Sequence, residues 1–242
     1  MGITMAVVAS MEREVSALRS LCTDGRVTVH VTGVGKDMAL KGMAALLESQ
    51  PVKPDCILSL GFAGGLRDEL ETGDLVLSQR LYAVGEDSPI ESDASLLGLA
   101  KDVLDSSGTG RYAIADSLTV PRAVLGAEEK GRLAIATPSS VVNMEDYWVA
   151  QSSAKHGIPF LSVRAVLDTA EQELPPFVAR LEHKSALTRA LRLGANVAAR
   201  PGYVPGLVKL AKQVGVAQRS LASFGVSFVS RIATIDGRTV YA

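Results

Sequence analysis

Residues 143–170 read NMEDYWVAQSSAKHGIPFLSVRAVLDTA. The first half predicts a helix from about Glu145 to Gly157, because glycine is favoured just beyond the last turn of a helix. The apolar run Pro159–Leu167 predicts a strand, and Asp168 follows it directly. A helix that leads straight into an apolar strand is typical of α/β proteins.

The same alternation of strands and helices precedes this segment. Ile3–Ala9 is a continuous apolar run, as expected for a strand covered on both faces, and Cys56–Leu60 is a shorter one. Apolar residues at helical spacing begin after Glu12 and again after Lys36. We therefore predict an α/β fold with a mixed, largely parallel sheet and helices on both sides.

The length and the continuity of the pattern bear on domain organisation. The 242 residues contain no internal repeat, low-complexity tract or linker, so we predict a single domain over residues 1–242. Helices are predicted at Phe177–Leu193 and from Val204 to about Phe224, whereas Gly225–Tyr241 has turn-and-strand character.

Composition excludes several classes of function. The chain has 25 basic and 26 acidic residues. This balance lacks the excess of positive charge that is typical of proteins that bind nucleic acid or anionic membranes. No apolar run reaches the ~18–20 residues of a membrane span, and the N-terminus lacks the basic start of a signal peptide. Two cysteines fit a reducing compartment, and three scattered histidines do not suggest a metal site. We expect a cytoplasmic protein without metal or cofactor.

Two motifs whose residues could bind or activate a ligand follow the apolar runs Ile3–Ala9 and Cys56–Leu60. Met11-Glu12-Arg13-Glu14 places carboxylates at a strand-to-helix junction, where they could activate water or simply favour the helix N-terminus. Gly61-Phe62-Ala63-Gly64-Gly65 is either a tight turn or a place where backbone N–H groups approach a sugar or an anion. It matches neither the GxGxxG nor the Walker pattern, so a dinucleotide or triphosphate site is not supported.

Two further acids lie within residues 143–170. Asn143-Met144-Glu145-Asp146 is either a capped helix start or a site where a carboxylate accepts two hydrogen bonds from a vicinal diol. Asp168 is either an N-cap or a sheltered acid whose pKa is raised, as a proton donor to a leaving base requires. The residues alone leave both alternatives open at each position.

The order and spacing of these motifs resemble the nucleoside phosphorylase/nucleosidase superfamily. The residues concerned are MEREV, TGVGK, GFAGGL with GDLVLS, and NMED…GIPFLSVRAVLDTA, over about residues 3–178. The pattern looks particularly like methylthioadenosine/S-adenosylhomocysteine nucleosidases and the related hopanoid-associated phosphorylases. The resemblance implies a three-layer α/β/α sandwich of the phosphorylase/hydrolase type, a purine nucleoside substrate and a homo-oligomer, with a dimer expected.

The resemblance also implies roles for individual residues. Glu14 would activate water, Asp168 would protonate purine N7, and Glu145 with Met144 would hold the ribose. Phe62, Ala63 and Gly64, together with Gly65, would line the sugar or nucleophile end, and Asn143 would lie beside the diol site. The chain departs from the family pattern at Phe62, where many relatives have serine or threonine, at Leu167, where many have serine, and at Asn143, where nucleosidases often have glutamate.

These departures from the family pattern leave alternatives for the nucleophile and for the substrate. We predict hydrolysis, because Glu14 would repel phosphate, whereas phosphorolysis (including that of a hopanoid-linked adenosine) needs cationic donors. Candidates for such donors by residue type are Arg13, Lys36, Arg67, Arg80 and Arg164. Apolar residues around Phe62, Trp148 and Val120–Leu125 suggest an apolar or thioether 5′ substituent on an adenine nucleoside. A non-catalytic nucleoside-binding protein on the same fold is the alternative of another class.

Overall fold

A computed structural model describes residues 2–22, 25–49, 53–108, 110–174 and 204–234. The strands are β1 (Met5–Ala9), β2 (Val27–Val31), β3 (Cys56–Gly65), β4 (Leu75–Ala83), β5 (Ile90–Glu91), β6 (Tyr112–Thr119), β7 (Val141–Asn143) and β8 (Phe160–Asp168). The helices are α1 (Glu12–Val15), α2 (Lys36–Ser49), α3 (Ala94–Ser107), α4 (Ala127–Ala136), α5 (Asp146–Lys155) and α6 (Val204–Thr234), and a 3-10 helix spans Ser16–Leu21.

The eight strands form one mixed sheet. Its order is β2-β1-β3-β7-β6-β4-β5, and β8 pairs with both β3 and β4. Parallel pairs predominate, as predicted, but β7 and β8 are antiparallel to β3 and β4 respectively. Because β8 joins β3 to β4, strands β3, β7, β6, β4 and β8 close into a ring. The sheet is therefore a partly closed barrel, which corrects the prediction of a simple three-layer sandwich.

Helices cover both faces of the sheet where β1 lies. Successive side chains of a strand point to opposite faces. Accordingly Met5 and Val7 belong to the core cluster that includes α3 and α6, whereas Ala6 and Val8 belong to the cluster that includes α2 and α5. These two buried clusters explain why β1 is a continuous apolar run, and they confirm the prediction of helices on both sides.

Residues 143–170 fold as predicted. Helix α5 ends at Lys155, Gly157 has a positive φ of 66°, and β8 begins at Phe160. In the part of the chain that the structure describes, no helix is both long and apolar enough to cross a membrane.

Two sequence-based predictions are corrected. The glycine-rich segment 61–65 is not a turn, because β3 continues through it, with Gly61 paired to Arg164 and Gly65 to Val141. Residues 225–234 are helical rather than turn and strand, since α6 continues to Thr234. Buried apolar residues recur at helical spacing from the preceding turns of α6 into this segment: Leu221, Phe224, Phe228, Val229 and Ile232. The predicted helix Phe177–Leu193 lies outside the described residues.

Candidate active site

Eight of the nine residues predicted to form the site line one cleft, and Gly65 is not part of its lining. The cleft lies where β1, β7 and β8 end and beside the second half of β3, and parallel strands commonly present ligand sites at their carboxyl ends. The predicted residues that line it are Glu14, Phe62, Ala63, Gly64, Asn143, Met144, Glu145 and Asp168. The three acids, which lie far apart in the chain, thus converge on one place.

Glu14 is held at the end of the cleft by hydrogen bonds to both carboxylate oxygens. Its Oε2 accepts hydrogen bonds from Ser10 Oγ at 2.9 Å and Met11 N at 2.7 Å, and its Oε1 accepts one from Phe62 N at 2.9 Å. Burial raises the pKa of Glu14, while the charge of Arg164 and these hydrogen bonds lower it. The carboxylate is therefore fixed in place and is more basic than an exposed one.

Arg164, which the sequence suggested as a possible phosphate ligand, is buried beside Glu14 and does not line the cleft. It forms a salt bridge with Asp146, and its Nε donates a hydrogen bond to Ser162 Oγ at 3.1 Å. Gly61 leaves room for the guanidinium, because a Cβ at that position would lie 1.9 Å from Arg164 Nη1 and 3.1 Å from Glu14 Oε1. Gly61 thus lets the guanidinium lie next to the Glu14 carboxylate.

Glu145 occupies another wall of the cleft with fewer stabilising contacts. Its Oε1 accepts a hydrogen bond from Gly35 N at 2.7 Å. Burial raises the pKa of Glu145 to about 7; the nearby charges of Glu14 and Asp146 also raise it, and the Gly35 N–H and the charge of Arg164 lower it. Glu145 therefore keeps its proton to a higher pH than an exposed glutamate does.

Asn143 positions Glu145 by bonding the turn between β7 and α5. Its Oδ1 accepts hydrogen bonds from the backbone N of Glu145 at 3.1 Å and of Asp146 at 2.9 Å, and from Thr119 Oγ1 at 3.0 Å. Asn143 lines the cleft, but these bonds direct its amide toward the protein. Asn143 thus holds the turn before α5 but is not its N-cap, which is Glu145, so the alternative of Asn143 as a helix cap is not borne out.

Asp168, at the end of β8, pairs with the buried side chain of Lys130 in α4. The Lys130 ammonium also donates hydrogen bonds to Thr169 O at 2.7 Å and Gln172 O at 3.0 Å. Burial raises the pKa of Asp168, and the charge and hydrogen bond of Lys130 lower it. Sequence reasoning did not find Lys130, which lies 38 positions from its partner.

The other walls of the cleft are mainly apolar. Phe62, Ala63 and Gly64 come from β3, Met144 comes from the turn after β7, and Leu167 lies beside Asp168. Apolar side chains from other segments complete the lining: Met11, Val34, Val120, Ala123, Val124, Val142 and Leu174. Trp148, which the sequence placed near the 5′ substituent, is not part of the lining, because it packs in the core with α2. Its ring centroid lies 3.6 Å from Lys36 Nζ.

None of the five cations suggested as phosphate ligands is among the described residues that line this cleft. Arg67 donates to the carbonyls of Ala134 and Thr137, and Arg80 pairs with Asp116. Lys36 lies over the Trp148 ring, Arg164 pairs with Asp146, and Arg13 lines a neighbouring depression that shares Ser10, Met11 and Val34 with the cleft. Within the described ranges, no group of three or more His, Cys, Asp or Glu could hold a metal ion.

Solved structures share this fold. A 5′-methylthioadenosine/S-adenosylhomocysteine nucleosidase from Neisseria meningitidis, in complex with methylthio-immucillin-A, matches with a TM-score of 0.71 and 20% identity, over 94% of this chain and 98% of that one. Futalosine hydrolase from Helicobacter pylori matches with a TM-score of 0.72 and 18% identity, over 95% and 98%. At these identities the likeness establishes the fold alone.

Sequence comparison gives the family. A 5′-methylthioadenosine/S-adenosylhomocysteine nucleosidase from Actinobacillus succinogenes is 28% identical over 207 residues, 70% of this chain and 87% of the relative. One from Exiguobacterium sp. is 26% identical over 212 residues, 70% and 86% respectively. The sequence profile described as "Phosphorylase superfamily" matches residues 8–200, which include Glu14, Glu145 and Asp168. This protein therefore belongs to the phosphorylase superfamily, as the order of its motifs predicted.

Proposed function

We propose that this enzyme hydrolyses the N-glycosidic bond of a purine nucleoside, with adenine as the base. The observation that carries the proposal is the convergence of Glu14, Glu145 and Asp168 on one cleft whose other described walls are mainly apolar. Hydrolysis of such a bond needs an acid for the leaving base, a base for water, and stabilisation of a positively charged sugar. Three carboxyl groups in three different environments can divide these tasks among them.

Each acid has a role that its surroundings support. Asp168, whose pKa burial raises, protonates or hydrogen-bonds purine N7, so that the base leaves neutral. Glu145 accepts hydrogen bonds from the 2′- and 3′-hydroxyls and favours the oxocarbenium-like sugar. Glu14, held by Ser10, Met11 and Phe62, orients and deprotonates the water on the opposite face. Each proton transfer contributes a factor of about 10²–10⁴ in rate.

Water is the nucleophile that the electrostatics favour. The ionisable residues among the described lining of the cleft are these three acids, and no lysine or arginine is present there. Arg164 lies next to Glu14 without lining the cleft, and its charge is already balanced by Asp146. A dianionic phosphate beside Glu14 would meet a carboxylate without a free cation to compensate for it.

The apolar walls favour an uncharged, apolar or thioether group at the 5′ position. Val34, Val120, Val124 and Leu174 offer contact area without a polar partner for a charged substituent, and burying an unpaired charge is costly. The relatives from A. succinogenes and Exiguobacterium are named for 5′-methylthioadenosine, which carries such a group, and for S-adenosylhomocysteine, whose 5′ group is charged, so the preference rests on the lining of the cleft. A homodimer and a cytoplasmic location stay predictions.

A base-release assay tests the proposal. The purified protein is incubated with 5′-methylthioadenosine, S-adenosylhomocysteine, adenosine and inosine, in phosphate-free buffer and in phosphate, and free base is separated by chromatography. We expect adenine release without phosphate, fastest from 5′-methylthioadenosine, and incorporation of ¹⁸O from labelled water at C1′ of the sugar. Strict dependence on phosphate would instead assign phosphorolysis, and tight nucleoside binding without base release would assign a binding protein.

A further inference from the structure

We propose that Lys130 is a positioning residue for base departure: it fixes the orientation and the protonation state of Asp168. The inference rests on the proposed function, because it assigns Asp168 to the leaving base. It is carried by the geometry of a buried ammonium group that is fully hydrogen-bonded to the segment containing Asp168.

The Lys130 side chain is completely buried, and all three of its N–H donors have partners. They are Asp168 Oδ2, Thr169 O and Gln172 O. A lysine ammonium has three donors and no acceptor, so none remains for a ligand or for water. Lys130 therefore does not act on a substrate directly, and its effect must pass through Asp168 and the residues after it.

The two oxygens of Asp168 have different surroundings. Oδ2 is taken by Lys130, whereas Oδ1 has no hydrogen-bond partner among the residues that the structure describes. Asp168 lines the cleft beside Gly64, and a Cβ at position 64 would be in van der Waals contact with its carboxyl group, 3.4 Å from Oδ2. The pairing with Lys130 thus leaves Oδ1 as the oxygen available to the base.

The same lysine holds a wall of the cleft. Its bonds to Thr169 O and Gln172 O join the segment after β8 to α4, and Leu174 N donates a hydrogen bond to Leu125 O at 2.8 Å. Leu174 lines the cleft. Lys130 therefore sets the position of Asp168 and of the apolar contact that follows it.

The ion pair also bears on when Asp168 holds a proton. Lys130 is the charged group that the described residues place in contact with Asp168, and Glu14 and Glu145 line the same cleft. Burial disfavours the Asp168 carboxylate and the ammonium favours it. Without Lys130 the effect of burial is unopposed, so Asp168 keeps its proton to a higher pH.

The test compares wild type with Lys130→Met, which removes the charge at similar length. Lys101→Met is the matched control, because its ammonium pairs with Asp105 on the surface. The titration of Asp168 is followed by the ¹³C shift of its side-chain carboxyl, and kcat/KM for base release is measured against pH. In Lys130→Met we expect the Asp168 titration and the basic limb of the profile to rise by at least about one pH unit, with a loss of turnover of about 10- to 100-fold.

An unchanged Asp168 titration in a folded Lys130→Met protein would overturn the inference, since a purely structural lysine changes stability without moving that titration. If the single variant does not fold, Lys130→Met is combined with Asp168→Asn, which removes both charges. We then expect the double variant to fold and to match Asp168→Asn in turnover within about threefold, because residues that act as a unit are not additive. A double variant that is also unfolded, or much slower than Asp168→Asn, refutes the role.

The outcomes separate this inference from the proposed function. Absence of base release by the wild type would refute the function, whereas the carboxyl titration needs no turnover.

Discussion

Replacing Glu145 with glutamine should change how the stability of the protein depends on pH. Burial raises the pKa of Glu145 in the folded protein to about 7, from 4.5 without these effects. Below pH 4.5 the residue is protonated in both the folded and the unfolded chain. Between pH 4.5 and 7 the unfolded chain ionises while the folded one retains its proton, so the wild type loses stability as the pH rises. Above pH 7 both forms are ionised and the loss is complete.

The size of this effect follows from the pKa difference. A shift from 4.5 to about 7 corresponds to about 3 kcal/mol, since each pKa unit is worth about 1.4 kcal/mol. Glu145→Gln lacks the titrating group but keeps an oxygen that can accept the Gly35 N–H bond. The stability of the wild type relative to the variant should therefore fall by about 3 kcal/mol over this range.

Urea unfolding at intervals from pH 4.5 to pH 8 measures the difference. Other buried acids titrate in both proteins, so subtracting one curve from the other removes most of their contribution. Glu128→Gln, at an exposed position in α4, is the control, and its difference from wild type should stay within a few tenths of a kcal/mol. If the Glu145→Gln difference were flat across the range, Glu145 would ionise as an exposed glutamate does, and the reasoning from burial would be wrong.

Three further substitutions test other parts of the site. Glu14→Gln should lower kcat by about 10²–10⁴-fold with an unchanged circular dichroism spectrum, because the amide cannot deprotonate water, and near wild-type turnover would exclude Glu14 as the base. Gly61→Ala should lower the melting temperature, since the new Cβ meets Arg164, whereas Gly98→Ala in α3, where no atom lies within 4 Å, should raise it slightly; equal effects of the two would show that the guanidinium can move aside. Asp146→Ala should cost about 3–5 kcal/mol in urea unfolding because it leaves the buried Arg164 charge unpaired, and a cost below 1 kcal/mol would show that the pair is not needed.

The positions of the three acids could be predicted because they depend on local pattern. Glu14 and Glu145 follow apolar strands within a few residues, and Asp168 ends one. The parallel strands β1, β3 and β8 bring the positions of Glu14 and Asp168 to a common edge, whereas Glu145 reaches the cleft from β7, which is antiparallel to β3. The helix and strand predicted within residues 143–170 are confirmed for a similar reason, since the apolar run and Gly157 are strong local signals.

The partners of the acids depend on contacts that local pattern does not specify. Lys130 lies in the charged sequence AEEKGR, which is typical of an exposed helix surface, and the segment that buries it begins 38 residues later. Arg164 left a clearer signal, because a single charge within the buried run FLSVRAVL requires a compensating partner. A tight turn was one of the two alternatives for the glycine-rich end of β3, and its pairing with β8 and β7 makes it a strand.

The unequal compensation of the three acids accounts for how one cleft can supply different protonation states. Glu14 has three hydrogen-bond donors and a nearby guanidinium, and Asp168 has a lysine, whereas Glu145 has the single N–H of Gly35. Asp168 and Glu145 each have one described donor, but that of Glu145 is uncharged, and a ribose has two adjacent hydroxyls that can add to it. Binding a vicinal diol would stabilise the Glu145 carboxylate, and that negative charge in turn favours a sugar that becomes positive as the bond breaks. The cost of burying this carboxyl group is thus offset by the substrate.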